Sequence, residues 1–151
     1  MTSRTDRIEK TVELRASVAR VWRALADSRE FGTWFGMRFE GPFVPGKPAA
    51  GVITIPEHEG LPVTFEVEQM VPERLFSYRW HPYPIDHTRD YAEEPTTLVE
   101  FRLEPAPGGT RLTVIESGFD AIPAGRRTDA YRANSEGWGI QIENLTRHVT
   151  A

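Results

Sequence analysis

The sequence predicts an α+β fold: a curved antiparallel sheet wrapped around one long C-terminal helix, with two short helices set after the first strand. Three observations predict it. From about Ala130 to Val149, Tyr131, Asn134, Ser135, Trp138, Ile142, Leu145 and Val149 recur at three- and four-residue steps, while Arg132, Glu136, Glu143 and Arg147 fall largely opposite. That is the period of a helix with one face to bury. Most of the chain before it alternates with the two-residue period of half-buried strands. The turns between several of these strands are short enough to make them antiparallel neighbours, and a striped helix and a one-faced sheet bury each other.

Ile8 to Leu14 is the first strand, with Ile8, Val12 and Leu14 on one face, Glu9, Thr11 and Glu13 on the other, and Lys10 as a misfit. Such a strand belongs at the outside of a sheet, and residues 1–7 ahead of it read as a flexible tail. Ala16-Ser17 offers a cap for a helix through Val18, Val21, Trp22 and Leu25, and Asp27-Ser28 a cap for a second through Phe31, Trp34 and Phe35. Gly36 closes that segment. Met37 to Glu40 is a short strand before the proline- and glycine-rich stretch Gly41 to Pro48, which disfavours regular structure.

Gly51 to Ile55, Val63 to Val71 and Leu75 to His81 follow as strands, joined by turns at Pro56 to Gly60 and Pro72 to Arg74. In the third of these, Phe76, Tyr78 and Trp80 share one face. His81 to Pro95 is then a long, acidic, proline-broken connection, and its length makes it a candidate lid or binding loop. Thr97 to Glu104 and Thr110 to Glu116 form a hairpin around Pro105 to Gly109, with Val99, Phe101, Leu103, Leu112 and Val114 facing inward. By the same alternation Glu116 points inward too. The final helix starts at Gly125-Arg126-Arg127 or at Asp129.

The 151 residues suit one domain spanning the whole chain, and 39% hydrophobic with 11% aromatic residues supports a packed core. A formal charge of -4 lacks the basic footprint of a nucleic-acid binder. Only Lys10 and Lys47 of the 18 basic residues are lysine, and there is no cysteine, which removes disulfides, thiolate nucleophiles and cysteine metal sites together. The N-terminus has no signal-peptide core and no run reaches membrane-spanning length, so no membrane insertion is expected and the cytoplasm is the expected compartment.

Val21-Trp22-Arg23-Ala24-Leu25, Trp34-Phe35-Gly36, Leu75-Phe76-Ser77-Tyr78-Arg79-Trp80 and Thr97-Leu98-Val99-Glu100-Phe101 resemble the bacterial activator-of-heat-shock-protein-ATPase-like family. So does Leu112-Thr113-Val114-Ile115-Glu116-Ser117-Gly118-Phe119 followed by Glu136-Gly137-Trp138. The likeness runs from Ile8 to Val149. That family lies within the START and polyketide-cyclase (SRPBCC) superfamily, which implies the helix-grip (birch-pollen-allergen-like) fold. It also implies a cavity between sheet and C-terminal helix that holds lipids, sterols, hormones or polyketides, with a few enzymes among the relatives. The family's name implies a chaperone as a partner.

Glu116 is the first candidate residue: a carboxylate aimed at the interior is either a polar anchor or general acid/base of a cavity, or a structural acceptor for neighbouring backbone, Tyr78 or an arginine. Trp34, Phe35, Phe39, Phe65, Phe76, Tyr78, Trp80, His81, Phe101, Tyr131, Asn134 and Trp138 complete the expected ligand-binding set. The apolar members among them either line a pocket or fill the core. His81, with Asp86, His87 and Asp90, is the one cluster resembling a metal or acid/base constellation, but its spacing matches no ligand pattern and a solvated loop explains it better. No metal or cofactor is expected. The first functional expectation is binding of a small hydrophobic molecule. The others are a small cyclase-, hydrolase- or isomerase-like enzyme using Glu116, Tyr78 or His81, and a chaperone-interacting module.

Overall fold

The computed structural model describes residues 6–82 and 93–150. Seven strands form one antiparallel sheet: β1 (Arg7–Leu14), β2 (Met37–Phe39), β3 (Pro48–Ile53), β4 (Pro62–Val71), β5 (Leu75–Trp80), β6 (Thr97–Ala106) and β7 (Gly109–Ser117). Their spatial order is β1-β7-β6-β5-β4-β3-β2, so the charged strand β1 lies at an edge, as its alternation predicts. The register slips between Val67 and Gln69 of β4, where Gln69 N–H donates to the buried Ser77 hydroxyl at 3.2 Å. A bulge of that kind bends the strand and increases its twist, which helps the sheet curve around what it encloses.

Helices α1 (Val18–Ala26), α2 (Ser28–Phe35) and α3 (Ala124–Thr150) cover the concave face. Ser17 caps α1 by accepting from Arg20 N–H at 3.1 Å, and Asp27 caps α2 by accepting from the N–H groups of Arg29 and Glu30. Gly36 then ends α2 at φ 90°, a left-handed turn that glycine takes without steric cost. The expected C-terminal helix is present. α3 is 27 residues long and begins at Ala124, immediately after Pro123, whose carbonyl accepts from Arg126 and Arg127. Of the two starts expected, Gly125 is the one it matches to within one residue and Asp129 is not.

Other boundaries shift for local reasons. The β6–β7 strands run on to Ala106 and restart at Gly109, so the turn is Pro107-Gly108 rather than the five residues expected. Gly109 packs so closely that a Cβ there would stand 1.9 Å from the Leu14 carbonyl oxygen. β3 starts at Pro48, where its missing N–H is tolerated because β2 pairs only with Gly51 to Ile53. Asp6 and Arg7, expected in the tail, belong to the fold: the Asp6 carbonyl accepts from Gly118 and Phe119, and Arg7 pairs with Ser117. Residues 1–5 lie outside the described residues.

The core is one cluster between sheet and helices, and Phe31 of α2 is at its centre. Its ring lies 4.7 to 6.4 Å from those of Trp34, Phe35, Phe39, Phe43, Phe65, Phe76, Tyr78 and Phe101. No helix among the described residues is long and apolar enough to cross a membrane.

Candidate functional site

Glu116 follows from strand phase. Its cross-strand neighbours in β7's ladders are Ile8 of β1 and Val99 of β6, both buried, so its carboxylate enters the same apolar space. It is 0% exposed. Four side chains converge on it: Trp138 Nε1 donates to Oε1 at 2.8 Å, Trp80 Nε1 to Oε2 at 2.8 Å, Thr97 Oγ1 to Oε2 at 2.6 Å, and Asn134 Nδ2 to both oxygens at 2.9 and 3.1 Å. A carboxylate offers about four acceptor positions, and these donors occupy them. Burial holds the Glu116 pKa above the ordinary carboxylate value, opposed by the hydrogen bonds from Thr97, Trp138, Trp80 and Asn134.

The partners differ from those expected for a structural acceptor. Among the described residues no arginine bonds to Glu116 and Tyr78 does not reach it; two indoles, an amide and a hydroxyl do. Thr97 is the partner that sequence reasoning missed. Extending the inward phase of Val99, Phe101 and Leu103 back by two residues places Thr97 on the same face, and that signal was sufficient to find it.

Trp80, Asn134 and Trp138 also line a recess of about 100 Å³ together with Phe35, Gly137 and Gln141. The rings of Phe35, Trp80 and Trp138 form a triangle around it, with centroids 5.9 to 6.0 Å apart. Gln141 closes one side by donating to the Phe35 carbonyl at 2.8 Å. A Cβ added at Gly137 would meet no atom within 4 Å, so the helix leaves open space there.

The remaining expected site residues go elsewhere. Phe65 and Tyr78 stack at 3.9 Å and are fully buried with Phe76 and Phe101, while Phe39 packs on Phe43 and Phe65. These rings belong to the core cluster, and none of them lines the recess beside Gly137. Trp34 uses its indole N–H on the Ala24 carbonyl at 2.9 Å. Tyr131 donates to the Arg7 carbonyl at 2.9 Å and packs on Phe119, tying α3 to the start of β1. His81 Nε2 lies 3.1 Å from the Glu94 carbonyl oxygen. Its sequence companions Asp86, His87 and Asp90, like most of the candidate lid, lie outside the described residues.

One contact had no sequence signal. Arg126 in the first turn of α3 donates through Nε to Glu94 at 2.7 Å and through Nη2 to the Pro82 carbonyl at 2.8 Å. The Arg126 and Glu94 side chains are only 12% and 8% exposed. This part-buried pair holds both ends of the β5–β6 connection against the helix that lines the recess.

Comparison with solved structures agrees with this architecture. A Mesorhizobium loti protein, MLL2253, matches with a TM-score of 0.74 at 24% identity over 95% of this chain and 96% of its own. An Arthrobacter aurescens protein matches with a TM-score of 0.78 at 21% identity over 97% and 87%. The Aha1 dimer from Colwellia psychrerythraea matches with a TM-score of 0.71 at 15% identity over 95% of each chain. No curated protein matches the sequence. The model of the family described as Activator of Hsp90 ATPase homolog 1-like protein matches residues 15–150, and the chain belongs to that family.

Proposed function

We propose that the protein binds a small, mostly hydrophobic ligand between the sheet and α3, with one apolar end of that ligand against Phe35, Trp80 and Trp138. The observation that carries this reading is the aromatic recess with open space at Gly137. Its volume of about 100 Å³ is below the roughly 150 Å³ of an apolar cavity that accepts benzene, so it takes the edge of a ring and the rest of the ligand lies outside it. The test is a titration of the ¹⁵N-labelled protein with methylenecyclohexane, a neutral apolar ring. Saturable shifts of the Trp80 and Trp138 indole N–H signals are expected, and Gly137→Leu should remove them while the melting temperature stays within a few degrees. No saturable shift in the wild type overturns the reading.

A second reading, chaperone interaction, is favoured by the family match over residues 15–150. It predicts that adding the protein raises the ATPase rate of the host's Hsp90-type chaperone; no binding and no rate change remove it. A catalytic role for Glu116 has less support, because a base needs a free acceptor position facing its substrate and four donors already fill this carboxylate.

A further inference from the structure

Behind the recess beside Gly137 lies a charge that its apolar lining does not show. Glu116 is fully buried, and its carboxylate receives Trp80 Nε1, Thr97 Oγ1, Asn134 Nδ2 and Trp138 Nε1. Four donors on one carboxyl group suit its ionised form, which only accepts. All four donors are neutral, and among the described residues no arginine, lysine or histidine forms an ion pair with Glu116. None of the six residues that line the recess is charged either. Buried charges are ordinarily paired, and this one has no countercharge beside it.

Two walls of the recess are in contact with that charge. The Trp80 and Trp138 indoles bond to Glu116 through their N–H groups and border the recess. An indole that donates to a carboxylate is polarised by it, which makes its ring more electron-rich. With Phe35 the rings stand at 38 to 54° to one another, their centroids 5.9 to 6.0 Å apart, so they form a splayed cup rather than a stack. A group resting on the middle of that triangle lies within about 6 Å of all three centroids, the range in which an aromatic ring attracts a cation. A primary ammonium would need acceptors for its three N–H groups, but the rings offer none and the positions on Glu116 are taken. A methylated ammonium needs none, because it meets the rings with methyl groups.

We infer that the apolar end held against Phe35, Trp80 and Trp138 is a methylated ammonium, so that the ligand is a quaternary-ammonium compound with Glu116 behind the rings that receive it. This rests on the ligand-binding reading above, and it adds a chemical class to it. The methyl groups enter the recess of about 100 Å³ and the rest of the ligand lies outside. Glu116 does not touch the ligand; it acts through its charge and through the two indoles it orients. A neutral head of the same shape keeps the methyl packing and loses the attraction, and an anionic one is repelled.

The experiment compares choline, its uncharged carbon isostere 3,3-dimethylbutan-1-ol and the anion 3,3-dimethylbutanoate by the same indole N–H titration. Choline should bind the wild type roughly three- to thirtyfold more tightly than the alcohol, the span of cation-π contacts from exposed to desolvated sites, and the anion should be the weakest of the three. The methyl proton signal of choline should also move upfield on binding, through the ring currents of the cup, a readout that stands even if a variant fails to fold. Glu116→Gln removes the charge and should narrow the choline-to-alcohol ratio; a folded Gln variant that keeps the whole ratio overturns the part given to Glu116. Choline binding no tighter than the alcohol overturns the ammonium class, while saturable binding of methylenecyclohexane spares the ligand-binding reading. No saturable binding of choline, the alcohol or methylenecyclohexane overturns both.

Discussion

Trp138 Nε1 donates to Glu116 Oε1 at 2.8 Å, and both residues are buried, so α3 is bonded to β7 inside the core. With Asn134 on the same carboxylate, one turn of α3 is fixed in rotation relative to the sheet. That rotation sets which face of α3 looks into the recess.

The first prediction concerns this cluster. Glu116→Gln replaces one acceptor oxygen by a donor; Asn134 can flip and Thr97 can turn its hydroxyl, but at least one indole N–H is stranded. A stranded buried donor costs about 1–3 kcal/mol, so urea unfolding at pH 7 should show a loss in that range. Glu116→Leu strands all the donors and should lose more. A Gln variant as stable as wild type means that the network contributes little.

The pH dependence follows from two carboxylates with opposite shifts. Glu116 has its pKa raised by burial, so its contribution is full below the unfolded value of about 4.5 and is lost as pH rises through the folded value. For Glu30, burial raises the pKa, but hydrogen bonds from His148, Arg20 and Arg23 outweigh it and the net shift is downward. Its contribution is present above the unfolded value and is lost as pH falls through the folded one. The stability cost of Glu116→Gln should therefore shrink from pH 5 to pH 8, and that of Glu30→Gln should shrink on acidification below pH 4.5. Matched denaturation curves across pH 3.5–8 check both signs.

Much of this was legible from local pattern. Two-residue alternation in Ile8 to Leu14 and Thr110 to Glu116 gave the inward face of Glu116 and the edge position of β1, since strand phase depends only on near neighbours. The caps at Ser17 and Asp27 were equally local. What the pattern did not reveal depends on where distant elements meet. Asn134 and Ser135 on the inward stripe of α3 marked something polar, but its identity required knowing that β7 delivers Glu116 opposite Asn134. Aromatic spacing alone did not separate Phe65 and Tyr78, which stack in the core, from Trp80 and Trp138, which border the recess. The Arg126–Glu94 pair joins residues 32 apart across an irregular connection, and no periodicity reports such a contact.

That pair supplies the next prediction. Arg126 and Glu94 form a part-buried ion pair, and a hydrogen bond to a charged group contributes about 1.5–3 kcal/mol. Arg126→Met should lose stability on that scale, and Glu94→Gln should cost less in the Arg126→Met background than in the wild type. A double-mutant cycle on urea midpoints gives the coupling. Additive losses would show that the two side chains act independently despite their 2.7 Å contact.

The last prediction separates helix propensity from site geometry. Gly137 and Gly139 both lie within α3, and a Cβ at either meets nothing within 4 Å. Glycine in a helix interior is about 1 kcal/mol less favourable than alanine, so Gly137→Ala and Gly139→Ala should each stabilise the protein by roughly 0.5–1 kcal/mol. Only Gly137 borders the recess beside Phe35, Trp80 and Trp138. Methylenecyclohexane binding should therefore weaken in Gly137→Ala, fail in Gly137→Leu, and remain at the wild-type level in Gly139→Ala. If both alanine variants gain the same stability and neither changes binding, the space at Gly137 is unrelated to the ligand. A glycine that costs helix stability while holding that space open is then accounted for by packing history alone, and the ligand-binding reading loses its strongest geometric support.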